Sequence, residues 1–271
     1  LYKKRFLLMY QLKISQWFGR LGNNLQQLSN AIYIAEKTRS ILSFPFHQMI
    51  TESYFDFSDG RSCKHQILSD FWNDKLESFA VTIEEIEEKR TNILRNNILP
   101  LLPYKSKKQD FDMVIHFRGG DIFRKNPHHN MVQAPYSYFK RVLEIQDAKR
   151  VLLVCEDNKN PIVPKLQNSD SGIDFIYHSG TIEQDINLIL NAKTLALPGN
   201  TSFSRILAQT SLNLEKVYLP IPGNDPKLLK FDVEAVYVSV DDYINLGQWK
   251  YDSLQKRMLI EHPISKTRLY G

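Results

Sequence analysis

Short apolar runs alternating with helix-patterned stretches constrain this chain more than any other feature. The run from Phe111 to Phe117 has strand length, and residues 135–145 then set Tyr138, Val142 and Ile145 on one helical face. Residues 151–155 form a continuous apolar strand buried on both faces, and residues 173–177 form a shorter one. Thr181-Ile182-Glu183-Gln184 has the form of a capping box and opens a helix carrying Ile182, Ile186, Ile189 and Leu190. Residues 195–197 return to strand, a helix opens at 201–204, and strands follow at 217–219 and 236–240, with a helix over 251–260. Strands that alternate with helices need crossovers, so the chain is α/β with mainly parallel sheet.

The N-terminal part starts the same way. Residues 9–15 alternate as a strand and run into Gly19-Arg20-Leu21-Gly22-Asn23-Asn24. Beyond that turn Leu25, Leu28, Ala31, Ile32 and Ala35 share a helical face, with glutamines and asparagines on the opposite face. Residues 40–80 are aromatic and irregular; such rings stack on sugars or pack a core. Residues 84–99 read as a helix, and Pro100 and Pro103 break the chain, which puts the domains at 1–108 and 109–271.

At 271 residues and 42% hydrophobic content, the chain has enough apolar mass for two small cores. No apolar run approaches bilayer length, and an anchor upstream of Leu1 is left open; the expected cytoplasmic location rests on the glycosylation sequence at Asn200. Its 35 basic and 30 acidic residues are interspersed apart from small clusters such as Lys3, Lys4 and Arg5. A net charge of +5 spread in this way argues against a nucleic-acid partner. Cys63 and Cys155 make neither a disulfide framework nor a zinc spacing.

The chemistry gathers at strand ends. His116, Arg118, Gly119, Gly120 and Asp121 arrive where the run from Phe111 should stop, the position at which open α/β sheets bind ligands. Arg118 offers the planar donor fork that suits phosphate or carboxylate, unless it only pairs with a surface carboxylate. The loop at 19–24 and the segment Asn200-Thr201-Ser202-Phe203-Ser204 also lead from strand to helix, a setting for anion binding. Thr201 or Ser202 also fits as a plain N-cap. Asp121 is a candidate general base, or it braces its loop. The one Asp-x-Asp, Asp110-Phe111-Asp112, precedes its strand rather than following it. A glycan hydrolase would need two carboxylates across the scissile bond, such as Asp121 with Glu156 or Asp157, and would have no use for a diphosphate-binding arginine. Asn200-Thr201-Ser202 is also a glycosylation sequon inside a proposed phosphate loop, which predicts a compartment without N-glycosylation.

Three motifs in this order resemble a known family. Gly-Arg-Leu-Gly-Asn-Asn at 19–24, His-Phe-Arg-Gly-Gly-Asp at 116–121 and Asn-Thr-Ser-Phe-Ser at 200–204 are similar to signatures of the α-1,2/α-1,6/protein O-fucosyltransferase superfamily. The α-1,2-fucosyltransferase family, with Gly-Gly-Leu-Gly-Asn-Gln, His-x-Arg-Arg-Gly-Asp and Ser-Ser-Phe-Ser, is the closest in motif. The resemblance spans roughly residues 9–212 and implies a GT-B glycosyltransferase, two Rossmann-like domains facing a cleft. It implies that His116, Arg118 and Gly119 meet the donor nucleotide and diphosphate, that Asp185 reads the base, and that Thr201, Ser202 and Phe203 hold phosphate. Arg20, Gly22, Asn23 and Asn24 would face sugar and acceptor. It further implies inversion, a nucleotide-sugar donor, a glycan acceptor and no metal cofactor. Gly119 stands where the family has a second arginine, and Asn24 where it has glutamine. A different donor, such as UDP-xylose, or a non-catalytic nucleotide- or sugar-binding module are therefore the alternatives.

Overall fold

The computed structural model of the chain describes residues 10–270 apart from 64, 73–75, 77, 222 and 228. The basic cluster Lys3, Lys4 and Arg5 and the expected strand start at Met9 lie outside the described residues. The chain divides into two compact units, Leu1–Pro103 and Tyr104–Gly271, each built on a parallel-rich sheet, as the α/β reading expected. Residues 105–109 hang on the second unit by backbone bonds. Lys105 N and Lys107 N donate to the Asn187 and Asn191 side chains at 2.8 Å each, and Asn191 Nδ2 donates back to Lys105 O at 2.9 Å.

In the first unit β1 (Tyr10–Ile14) runs through a loop into α1 (Leu21–Thr38), followed by β2 (Ile41–Ser43), β3 (Tyr54–Asp56), β4 (His65–Ser69) and α2 (Ile83–Ile93). The sheet order is β3-β2-β1-β4, with β1 parallel to both β2 and β4 and β3 antiparallel. Strands of three residues such as β2 and β3 are too short to show alternation, so the aromatic stretch hid them. Past α2 the helix widens into a π turn (Leu94–Ile98) and closes as a 3-10 turn (Leu99–Leu101) around Pro100, which has no N–H for the helical ladder.

The polar side of α1 is not a solvent face. Gln26, Gln27, Ser29 and Asn30 are buried along with the apolar stripe. Their side chains satisfy backbone and a buried cation instead of water. Gln27 Oε1 accepts from Phe18 N at 2.7 Å, and its Nε2 donates to Asp70 O at 2.9 Å. Asn30 Oδ1 accepts from Arg90 at 3.1 Å, and Ser29 Oγ takes a second bond from the same guanidinium. Arg90, 2% exposed, is neutralised by Glu87 at 2.8 Å one helical turn earlier on α2.

The second unit contains β5 (Met113–Phe117), α3 (Tyr136–Gln146), β6 (Arg150–Cys155), α4 (Ile162–Gln167), β7 (Asp174–His178) and α5 (Ile182–Leu190). After these come β8 (Thr194–Ala196), α6 (Ser202–Thr210), β9 (Lys216–Ile221), β10 (Glu234–Val240), α7 (Ser253–Glu261) and β11 (Thr267–Leu269). Sheet order is β11-β10-β9-β8-β5-β6-β7, parallel except for the β10/β11 edge. The capping box expected at Thr181 is present, with Gln184 N donating to Thr181 Oγ1 and Thr181 N to Gln184 Oε1. The short α4 carries Pro164 and left no helical signature in the sequence. Ile145, expected on the buried face of α3, is exposed at that helix's last turn.

The chain lays down β5, β6 and β7 outward in one direction, then α5 carries it back to place β8 on the other side of β5. That reversal makes β5/β8 a switch point. Along β5 the side chains alternate. Met113, Ile115 and Phe117 join the core containing Tyr138, Phe139 and Val142 of α3, so His116 must face the opposite layer.

The buried Arg90 generates a stability test. Arg90→Ala removes the buried cation that Glu87 neutralises and that donates to Asn30, and urea unfolding of the variant should show a loss of about 3 kcal/mol. A loss below 1 kcal/mol would mean that the polar cluster does not brace α1.

Candidate active site

The carboxyl ends of β5 and β8 bring two of the singled-out motifs side by side. His116 Nδ1 and Ser204 Oγ, 88 residues apart in the chain, share a hydrogen bond of 3.0 Å, and the His116 and Phe203 rings lie 5.5 Å apart. His116 and Ser204 are both buried. Thr201 occupies the N-cap position of α6 with extended backbone, yet its side chain makes no capping bond. The N-cap reading of Thr201 thus holds for position but not for chemistry. A helix start without a side-chain cap keeps its first N–H groups and its dipole available for an anion. Thr201 is buried and Ser202 and Phe203 are half-buried.

The loop from 118 to 134 is folded across this end of the sheet. Ala134 N donates to Pro198 O at 2.6 Å and Asn200 N to Val132 O at 3.2 Å, while Asn200 Nδ2 donates to Asn130 O at 2.9 Å. Gly199 is obligatory there: its φ is +145°, and a Cβ would stand 2.0 Å from Val132 O. The C-terminal segment holds the same loop from beyond. Trp249 Nε1 donates to Ile122 O at 2.9 Å and Tyr243 Oη to Gln133 O at 2.8 Å. These residues lie in the stretch that the motif resemblance does not cover, and only the fold shows their role.

Arg118 is 12% exposed. Its Nη2 donates to both Asp121 oxygens at 2.9 Å, and its Nη1 approaches Met131 Sδ at 2.9 Å. The carboxylate that pairs with it belongs to its own loop. Space beside Gly119 is taken by Asp157: a Cβ there would fall 2.2 Å from Asp157 Oδ1, so a larger residue would have to displace that carboxylate. Gly120 N donates to Asp157 Oδ2 at 2.8 Å.

Asp185 sits in the first turn of α5, beside the carboxyl ends of β6 and β7. Its Oδ1 lies 3.2 Å from His178 Nε2. Burial pushes its carboxyl up to about 6, opposed by His178 and reinforced by Glu156. Cys155, at the end of β6, is pushed up to about 12 chiefly by burial and behaves as an inert small hydrophobe. His178 and Glu156 had no motif around them, and only the pairing of β6 with β7 brings them to Asp185.

The loop of the first unit is organised by its asparagines. Asn24 is buried, donating from Nδ2 to Phe18 O at 3.0 Å and sharing its Oδ1 with His47 Nε2 at 3.2 Å. Gly22 is buried, Asn23 is half-buried with its side chain against Gly19, and Arg20 is exposed at the N-cap of α1, where it provides no capping bond. Arg20 and Asn23 are therefore the two of the four expected residues whose side chains reach the surface.

No family model matches the chain, and no curated protein matches it. Among solved structures, POFUT1 in complex with GDP is similar in backbone at 9% identity in two crystals. The high-resolution dataset has a TM-score of 0.39 and covers 78% of this chain and 97% of that one. Crystal form III has a TM-score of 0.41 and covers 74% and 94%. At such overlap and identity the likeness carries no mechanism, and the chemistry of this site stands on its own residues.

Two measurements follow from this geometry. Because the folded pKa of Asp185 lies above the ordinary value of 3.8, the folded state holds this proton more tightly than the unfolded chain. Stability from this group is full below pH 4 and is lost as pH rises through about 6. Asp185→Asn should flatten that fall in a pH series of thermal melts; an unchanged slope would place the titration elsewhere. In the first unit, Asn24→Ala should cost roughly 1–3 kcal/mol of stability by orphaning Phe18 O. A variant as stable as the parent would show that Asn24 does not hold the loop.

Proposed function

We propose that the chain is a glycosyltransferase moving a sugar from a nucleotide diphosphate donor, GDP-fucose-like, to a glycan hydroxyl. The observation that carries this reading is the His116–Ser204 contact at the β5/β8 switch point, which joins the end of the strand that leads into Arg118 to the uncapped start of α6. A diphosphate leaving group gains most from fixed donors aimed at its developing charge, and a planar guanidinium with a helix N-terminus supplies them without a metal. Residues 109–271 hold the donor in this reading, with His116, Gly119 and Asp185 beside the nucleotide and Thr201, Ser202 and Phe203 at the phosphates. The first unit, with Arg20 and Asn23, serves the sugar and acceptor.

The reaction is a single inverting displacement. The acceptor oxygen bonds to the anomeric carbon, the bond from that carbon to the phosphate oxygen breaks, and the nucleotide diphosphate leaves with the electron pair. The acceptor proton goes to Asp121. Asp121 accepts from Arg118 Nη2, and a diphosphate that takes over the guanidinium would remove that bond and make the carboxylate more basic. A second reading keeps the site and changes the donor, for example to UDP-xylose, because the case for GDP-fucose is weaker without a second arginine. The Asp157 carboxylate occupies the space beside Gly119, where the resembled family carries its second arginine.

Among the described residues no helix is long and apolar enough to cross a membrane. We assign the enzyme to a compartment without N-glycosylation, the cytoplasm, because Asn200 Nδ2 is used to hold the 118–134 loop and a glycan there would open it.

Arg118→Ala and Arg118→Lys should remain folded, bind GDP or UDP more weakly and lose about 10²–10³-fold in turnover, lysine failing because it lacks the fork. Asn23→Ala should lower turnover while nucleotide binding stays near the parent's. Transfer by Arg118→Ala within a few-fold of the parent at saturating donor would place the diphosphate elsewhere.

A further inference from the structure

A guanidinium can be preorganised only if the peptide that carries it is held, and here the backbone on both sides of Gly119 is held by residues following β6. Asn160, 1% exposed, donates from Nδ2 to Arg118 O at 3.1 Å and accepts Ile162 N on Oδ1 at 3.1 Å. Asp157 accepts Gly120 N on Oδ2 at 2.8 Å and Lys159 N on Oδ1 at 2.9 Å. One bond therefore fixes the carbonyl before Gly119 and the other the amide after it. The strands themselves do not need this help, since β5 and β6 are already paired from Met113 with Val151 through to Phe117 with Cys155. What the two bonds add lies beyond the last paired residue, at the point where the chain turns to present Arg118.

We propose that Asn160 and Asp157 are positioning residues for anion binding at Arg118. They hold the 118–120 backbone in the conformation that aims the guanidinium, so that a nucleotide diphosphate does not have to order this loop when it binds. The inference rests on the reading of Arg118 as the diphosphate ligand. Asn160 acts through the Arg118 carbonyl and Asp157 through the Gly120 amide. Asn160 is buried among its own hydrogen bonds, and Asp157 is turned toward Gly119 and Gly120.

GDP and UDP titrations followed by phosphorus NMR, on the full chain with thermal melts in parallel, test this. Asn160→Asp keeps the acceptor for Ile162 N but cannot donate to Arg118 O, and it should weaken binding about tenfold. Asp157→Ala should do the same, while Asp157→Asn, which keeps an acceptor oxygen for Gly120 N, should bind near the parent's level. In an Arg118→Ala background the Asn160→Asp loss should largely vanish, because the two act through one group. Additive losses in the double variant would make Asn160 independent of Arg118 and overturn the proposal. So would parent-like binding by Asn160→Asp, in which case a weakened Arg118→Ala leaves the proposed function standing. Parent-like binding by Arg118→Ala, or no nucleotide binding by the parent, removes the function reading and the clasp with it. If neither Asn160→Asp nor Asp157→Ala folds, the bonds serve the fold and the positioning role is rejected.

Discussion

Everything at the candidate site depends on β5 having a parallel neighbour on each side that the chain reaches in opposite directions. Val114 and Ile115 pair with Leu195 and Ala196 of β8 on one edge, and the whole of β5 pairs with β6 on the other. Helices that follow these strands must diverge at that point, and the carboxyl ends are left with a gap between them. The His116–Ser204 bond spans this gap at 3.0 Å. It joins the end of a buried strand to the first turn of α6, so two loops that have no local reason to meet are locked in register. Gly199 extends the same constraint, because the 130–134 segment can cross only where no side chain stands.

Charge around this gap is divided unevenly. Arg118 is surrounded by carboxylates at close range, Asp121 paired to it and Asp157 packed beside its loop, while Glu156 and Asp185 stand at the next strand ends. A site rich in carboxylates repels an anion unless the ligand displaces one of them. The Asp121 pair is the exchangeable one: it is partly exposed and lies within a single loop, whereas Asp157 is committed to backbone amides. Burial raises the Asp185 carboxyl to about 6, still below neutrality, so at neutral pH it adds to the negative charge at these strand ends.

Local pattern and final packing agree well in the second unit and less well in the first. Mostly apolar stretches stand where β5 and β6 form, and the Thr181 box stands where α5 begins, because burial and capping are written in neighbouring residues. The polar side of α1 misleads for an equally physical reason. Gln27 and Asn30 are polar at the right spacing for a solvent face, yet they are spent on loop carbonyls and on Arg90. No periodicity distinguishes a glutamine that faces water from one that satisfies a buried backbone group. Of the residues that hold the backbone around Gly119, Asp157 stood out in the sequence only as a polar strand end and a candidate hydrolase carboxylate, and Asn160 not at all.

By itself the sequence determined the longer strands and helices, their order and the positions where chemistry sits at strand ends, since each of these follows from interactions between residues a few places apart. Tertiary structure decided which strand ends are neighbours, that Trp249 and Tyr243 hold the 118–134 loop, and that Asp121 and Asp157 rather than water meet Arg118 and Gly119. Those outcomes depend on the side of β5 to which α5 returns the chain. That choice is made by packing across the whole sheet, and no stretch of sequence short enough to read by its period contains it.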